Sequence, residues 1–206
     1  MDIRFTNASS LASIDYQIED NRRDLSPSQY EIIRQVIYHT ADFEYYSLLE
    51  FSEDALTSGF NALTGGLPII VDVPAIQVTI VPKLQQTFHN PVYCCGTTGK
   101  EVDFSKTKAA FGLLSLAKDR PRSIFVIGQD GFASSTLVEL IENEEIFPSL
   151  AIVTAPLSIA PDVREYLKSA SVPTIHVNSP KGGATVASAI VNGLIDLAWR
   201  ATINND

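Results

Sequence analysis

Between Ser26 and Ala41, the residues Ile33, Val36, Ile37, Thr40 and Ala41 recur at the three- and four-residue spacing that places them on one helical face. The start of this segment is marked too. Ser26 suits an N-cap, Pro27 the first helical position, and Gln29 the reciprocal partner of a capping box. The pattern predicts a helix running to about Ala41. With ~100° between successive helical residues, Tyr38 and His39 fall on opposite flanks of the apolar stripe. Neither takes the other's place unless the helix ends or bulges between them.

A second helix is predicted over residues 52–64, stopped by Gly65 and Gly66. Four short apolar runs, 68–71, 123–127, 150–153 and 174–177, then read as buried strands. Segments 106–118, 133–143, 161–170 and 184–203 read as helices. Strands alternating with helices predict an α/β fold, a three-layer α/β/α arrangement around a mostly parallel central sheet. In such sheets ligands bind outside the carboxyl ends of the strands. That rule gathers Asp72, residues 128–132, residues 154–158 and residues 178–183 on one edge.

Composition narrows the class without naming a chemistry. A length of 206 residues with 45% hydrophobic content suits a single domain over 1–206 with a sizeable core. The net charge of −9 argues against a nucleic-acid partner, which needs clustered Lys and Arg. The opening Met1-Asp2-Ile3-Arg4 lacks the basic-then-apolar order of a signal peptide, and no apolar run approaches the ~18–20 residues of a membrane span. A cytoplasmic protein with no membrane partner is expected. Cys94 and Cys95 are adjacent and the three histidines are separated, which predicts neither a disulfide framework nor a metal site.

The glycines give little by themselves. Gly128 and Gly131 do not make the dinucleotide fingerprint, and the chain has no P-loop and no nucleophile elbow. Lys181-Gly182-Gly183, just before a predicted helix, lets backbone amides approach an anionic group, or simply makes a tight strand-to-helix turn. A lone helical histidine such as His39 is more often an ordinary helix residue than a catalytic one.

Several segments, in order, resemble the precorrin-8X methylmutases, also called precorrin isomerases. Ile37-Tyr38-His39-Thr40-Ala41-Asp42-Phe43-Glu44 resembles that family's Ile-His-Ala-Thr-Gly-Asp-Phe-Glu helix. Ser10-Leu11-Ala12-Ser13-Ile14-Asp15 resembles its Ser-Phe-x-Ile-Ile-Asp opening, and residues 62–72 resemble Ala-Leu-x-x-Gly-x-Pro-Ile-x-x-Asp. Ser105-Lys106-Thr107 stands where the family has Thr-Arg-Ser, and residues 123–128 match a strand with its closing glycine. Lys181-Gly182-Gly183-Ala184 resembles the Gly-Arg-x-Gly-Gly-Ser finish. The departures fall in the loops: Gly128-Gln129-Asp130-Gly131 replaces Gly-Asn-Ala-Pro, and Pro180 replaces an arginine.

The resemblance implies an intramolecular methyl shift from carbon 11 to carbon 12 of the macrocycle, assisted by an acid and needing no separate cofactor. It also implies a tetrapyrrole substrate, corrinoid chemistry of cobalamin biosynthesis, and a homodimer. Anchoring on Asp42-Phe43-Glu44 puts Tyr38 at the family's proton-donating position. Tyrosine is the weaker acid by about 3.5 pKa units, on the order of 5 kcal/mol of proton-transfer driving force. Three outcomes follow. Either His39 reaches the pocket because the helix ends near Thr40, or Tyr38 holds the position in a paralogue that binds a corrinoid or related tetrapyrrole without turning it over. The third is a different reaction on another ligand, or a His39 that is a solvent-facing or structural helix residue. The candidate catalytic residues are therefore His39 and Tyr38. The candidate substrate contacts are Ser10, Thr40, Lys106, Gly128, Gln129, Lys181, Gly182 and Gly183, with Arg34 as a further cation for a polycarboxylate.

Overall fold

The structure, a computed structural model, describes residues 3–18, 23–98, 106–156 and 161–203. Ser105, Leu157 and Ser158, each expected near the site, lie outside these residues. The elements in chain order are α1 (Ile3–Ile18), α2 (Pro27–Thr40), α3 (Tyr45–Leu48), β1 (Leu49–Phe51), α4 (Ala55–Thr64), β2 (Ile69–Val71), α5 (Pro74–Gln85), β3 (Val92–Cys94), α6 (Cys95–Thr98), α7 (Lys108–Asp119), β4 (Ile124–Ile127), α8 (Gly131–Glu142), β5 (Leu150–Val153), α9 (Pro161–Lys168), β6 (Thr174–Val177) and α10 (Ala184–Ile203).

The six strands form one sheet in the order β1-β6-β5-β4-β2-β3, with β1 antiparallel to β6 and the other pairs parallel. Strands β2, β4, β5 and β6 are buried along their whole length, as their unbroken apolar runs predict. Their alternate residues feed two cores. Val71, Val126, Ile152 and Ile175 pack with α1, α2, α4, α5 and α10 on one face, while Ile70, Phe125, Ala151 and Val153 pack with α7, α8 and α9 on the other. These are the three layers that the alternation of elements predicts.

Three elements depart from the sequence expectation for physical reasons. The edge strands β1 and β3 are three residues each and only partly buried, so neither shows a strong apolar run. Helix α5 carries Pro74 at its start and Pro82 inside, which masks it in sequence. It holds because Ile76, Ile80 and Leu84 bury one stripe while Pro82 faces solvent. The α4 stop is also refined, since Gly66 and not Gly65 takes the left-handed conformation, at φ 68°.

Helix α10 corrects one expectation. At 20 residues it is long and apolar enough to cross a membrane by length and composition. Here it is a core helix, with Val186, Ala187, Ile190, Val191 and Ile195 buried against α2, α5 and the sheet.

Candidate active site

Helix α2 begins as predicted: the Ser26 hydroxyl accepts from Gln29 N–H at 3.2 Å and Gln29 Oε1 accepts from Ser26 N–H at 2.8 Å. Its buried stripe is Ile32, Ile33, Val36 and Ile37. Ala41 is not part of it. That residue is exposed and caps the helix in the left-handed region at φ 54°, donating its N–H to Ile37 O. Thr40 closes the turn, its hydroxyl donating to Val36 O at 2.8 Å and accepting from Asp42 N–H at 3.3 Å. The expected Thr40 substrate contact thus has a local role.

Tyr38 and His39 both lie within regular α2, which ends close to the predicted position, so they keep the opposite flanks that the spacing predicts. His39 lines a cavity of about 140 Å³ whose other walls are Ala75 and Thr79 of α5 and Thr185, Ser188 and Asn192 of α10. Tyr38 is half-buried against the core and is not among the cavity's lining residues. It shares its flank of α2 with Arg34, which reaches Asp15 of α1 at 3.0 Å. The two rings still meet edge to face, centroids 5.2 Å apart. His39 is exposed on its outer side, and the desolvation on its cavity side, with the Lys83 ammonium adding to it, lowers its pKa below the ordinary histidine value. Lys83 is itself paired with Asp196 at 2.6 Å.

Sequence reasoning did not single out Thr79, Ser188 or Asn192. The signal was present only as small and polar residues at helical spacing, which are common in any packed helix. Asn192 Oδ1 is buried with no hydrogen-bond partner among the described residues, so an acceptor stands in the cavity's lining group.

At the carboxyl ends of β2 and β4 the sheet order reverses, the position where ligands commonly bind in such folds. Here a side chain of the protein fills that role. Asp72 is fully buried, and its carboxylate accepts from Gly128, Gln129 and Asp130 N–H at 3.1, 2.7 and 2.8 Å. Burial pushes the Asp72 pKa up and the three amides pull against it. The amides of Gly128 and Gln129, expected to meet substrate, therefore hold this loop to β2. Gln129 keeps an exposed side chain.

The remaining candidates divide between the faces. Lys181, Gly182 and Gly183 precede α10, near His39. Gly183 donates its N–H to Thr154 O at 2.7 Å, which makes the glycine pair a strand-to-helix turn. Gly182 sits at φ 150°, where an added Cβ would lie 2.0 Å from Thr154 O. Lys181 Nζ reaches Asp42 at 2.7 Å and Glu44 at 2.9 Å. Lys106 lies with α7 and α8, on the opposite face from α2, and pairs with Glu139 at 3.3 Å. Ser10 is on α1, which packs along α2 on the Tyr38 flank.

Among the described residues no group of three or more His, Cys, Asp or Glu is arranged to hold a metal ion. Cys94 and Cys95 are buried, and burial pushes the Cys95 thiol up, away from reactivity. A larger cavity of about 540 Å³ lies between α1, the start of α2 and Tyr46, and no residue of α5 or α10 is among its lining. Its polar wall is satisfied internally: Tyr30 donates to Asp15 at 2.6 Å, and burial together with that carboxylate pushes the Tyr30 pKa up to about 12.

The profile of the precorrin-8X methylmutase family matches residues 6–197. A cobalt-precorrin-8 methylmutase from Synechocystis is 33% identical, the match covering 93% of this chain and 94% of that protein. One from Methanocaldococcus jannaschii is 34% identical, covering 87% and 84%. The crystal structure of a precorrin-8X methylmutase from Thermus thermophilus superposes with a TM-score of 0.84 at 27% identity, covering 96% of this chain and 97% of that one. The likeness therefore extends from α1 into α10, through the motif-bearing turns as well as the sheet, and the chain belongs to the precorrin-8X methylmutase family.

Proposed function

We propose that this protein is a methylmutase of cobalamin biosynthesis, moving a methyl group from carbon 11 to carbon 12 of precorrin-8X or its cobalt-containing counterpart, with His39 as the proton donor. The relatives named above favour the cobalt form. The observation that carries the assignment of His39 is its position: it is the titratable side chain in the lining of the α2/α5/α10 cavity. Its imidazolium gives a proton to the macrocycle, making the ring system more electron-poor so that the methyl migrates. The proton returns to the imidazole as conjugation is restored. The Lys83 charge and partial burial make His39 a stronger acid than free histidine.

A cavity of about 140 Å³ is smaller than the ~300–1,000 Å³ usual for ligand pockets. It admits an edge of the macrocycle, and this supports a homodimer in which the second subunit covers the rest. A cytoplasmic location belongs to the same reading.

A second reading rests on Tyr38. It occupies the family's histidine position, yet lies on the α1 flank of α2, away from the His39 cavity. In that reading the protein binds a corrinoid without turnover.

The test combines turnover of cobalt-precorrin-8 with absorption titration by hydrogenobyrinic acid, for wild type, His39→Ala and Tyr38→Phe. His39→Ala is expected to lose about 10²-fold or more in kcat/KM while still binding the corrin. Tyr38→Phe is expected to stay active. The acid form of His39 is required, so kcat/KM falls as pH rises through a pKa below ~6.5, and this limb disappears in His39→Ala. Tight corrin binding without turnover by the wild type would select the second reading.

A further inference from the structure

Lys181, in the turn before α10, and Asp42, in the reversal after α2, are 139 residues apart in the chain, yet a three-charge contact joins the two turns: Lys181 Nζ lies 2.7 Å from Asp42 Oδ2 and 2.9 Å from Glu44 Oε2. The Asp42 carboxylate is itself held in the chain reversal after α2. Asp42 Oδ1 accepts from Glu44 N–H at 3.0 Å, and Asp42 N–H donates to Thr40 Oγ1, whose own proton goes to Val36 O. On the other side, Lys181 N–H donates to Ser179 Oγ at 3.2 Å, and Gly182 packs so closely on Thr154 that no side chain fits. Lys181 draws the Asp42 carboxyl below the usual carboxylate range, so the contact stays charged at neutral pH.

We propose that Lys181 is a positioning residue: its ammonium clamps Asp42 and Glu44 and so holds the end of α2, with His39, over the cavity. The resemblance suggested a different task, anchoring a substrate carboxylate. The charge balance argues against that task. One ammonium already faces two carboxylates, leaving a local excess of negative charge that repels a third. His39 stands three residues before Asp42 and one before Thr40, so freeing this reversal loosens the turn that aims the imidazole. The effect on turnover rests on the proposed role of His39; the clamp itself does not.

The experiment compares Lys181→Met, Lys181→Arg and Asp42→Asn in the full chain, by amide hydrogen exchange and by kcat and KM with cobalt-precorrin-8. Lys181→Met is expected to speed exchange at Glu44 and Ser47. It should lower kcat roughly three- to tenfold with KM within about twofold, a size set by an exposed contact acting through geometry. Lys181→Arg should restore most of the rate, and Asp42→Asn should reproduce the loss. A rise in KM with kcat kept in Lys181→Met, and no effect of Asp42→Asn, would make Lys181 a substrate anchor and overturn the proposal. Unchanged exchange in Lys181→Met would overturn it as well. If the wild type shows no turnover the proposed function falls, while the exchange comparison by itself still decides for or against the clamp.

Discussion

After β4 the chain turns three amides inward onto Asp72, whereas the end of α2 and the start of α10 leave His39 beside an open cavity. Both regions lie at the carboxyl edge of the same sheet. In the first, a buried carboxylate satisfies the amides that a phosphate or carboxylate ligand would otherwise meet. In the second, small residues such as Ala75, Ala184 and Ala189 keep space open between helices. The difference teaches that the usual ligand position of a doubly wound sheet is a statement about available amides. Where a side chain has already taken them, the open space lies on another flank, here beside His39.

The strongest way to break this comparison is Asp72→Ala. It leaves the Gly128, Gln129 and Asp130 amides without their acceptor, at a cost on the order of 3–5 kcal/mol, to be read from the denaturant midpoint. A loss below about 1 kcal/mol would mean that something else holds the loop. Next is Gly182→Ala, which brings a Cβ to 2.0 Å from Thr154 O at a φ of 150°. A loss of about 2–3 kcal/mol is expected, accompanied by reduced turnover because α10 starts there. Retained stability and activity would show that the turn before α10 can shift without disturbing the cavity.

Smallest is Ala41→Gly. Ala41 adopts φ 54°, which glycine takes without a Cβ penalty, so the variant is expected to be more stable by about 0.5–1 kcal/mol, read from the thermal midpoint. A destabilised variant would mean that the αL end of α2 carries no strain. The wild-type chain accepts that strain at the residue that ends the helix, one turn from the cavity.

How much of this was legible beforehand depended on the kind of signal. Strands β2, β4, β5 and β6 were readable because each is buried on both faces and must be apolar throughout. Helix α2 was readable because Ser26, Pro27 and Gln29 form a local start signal that acts within a few residues. Strands β1 and β3 were not, since three half-buried edge residues leave no periodicity. Helix α5 was hidden by Pro82, whose tolerance depends on facing solvent. At the site, His39 and Lys181 were visible as residue types, and their partners were not. Asn192, Thr79 and Ser188 come from distant helices, and Lys106 was drawn to Glu139 on the far face.

The sequence by itself determined the family, the α/β alternation and the start of α2, because motif order, apolar runs and caps are local properties of the chain. Only the tertiary structure decided that His39 meets α5 and α10, that Asp72 takes the loop amides, and that Lys181 is bound to Asp42 and Glu44. Those are contacts between segments tens to more than a hundred residues apart. Charge and hydrogen-bond capacity are written in each residue, but which partner uses them is set by packing.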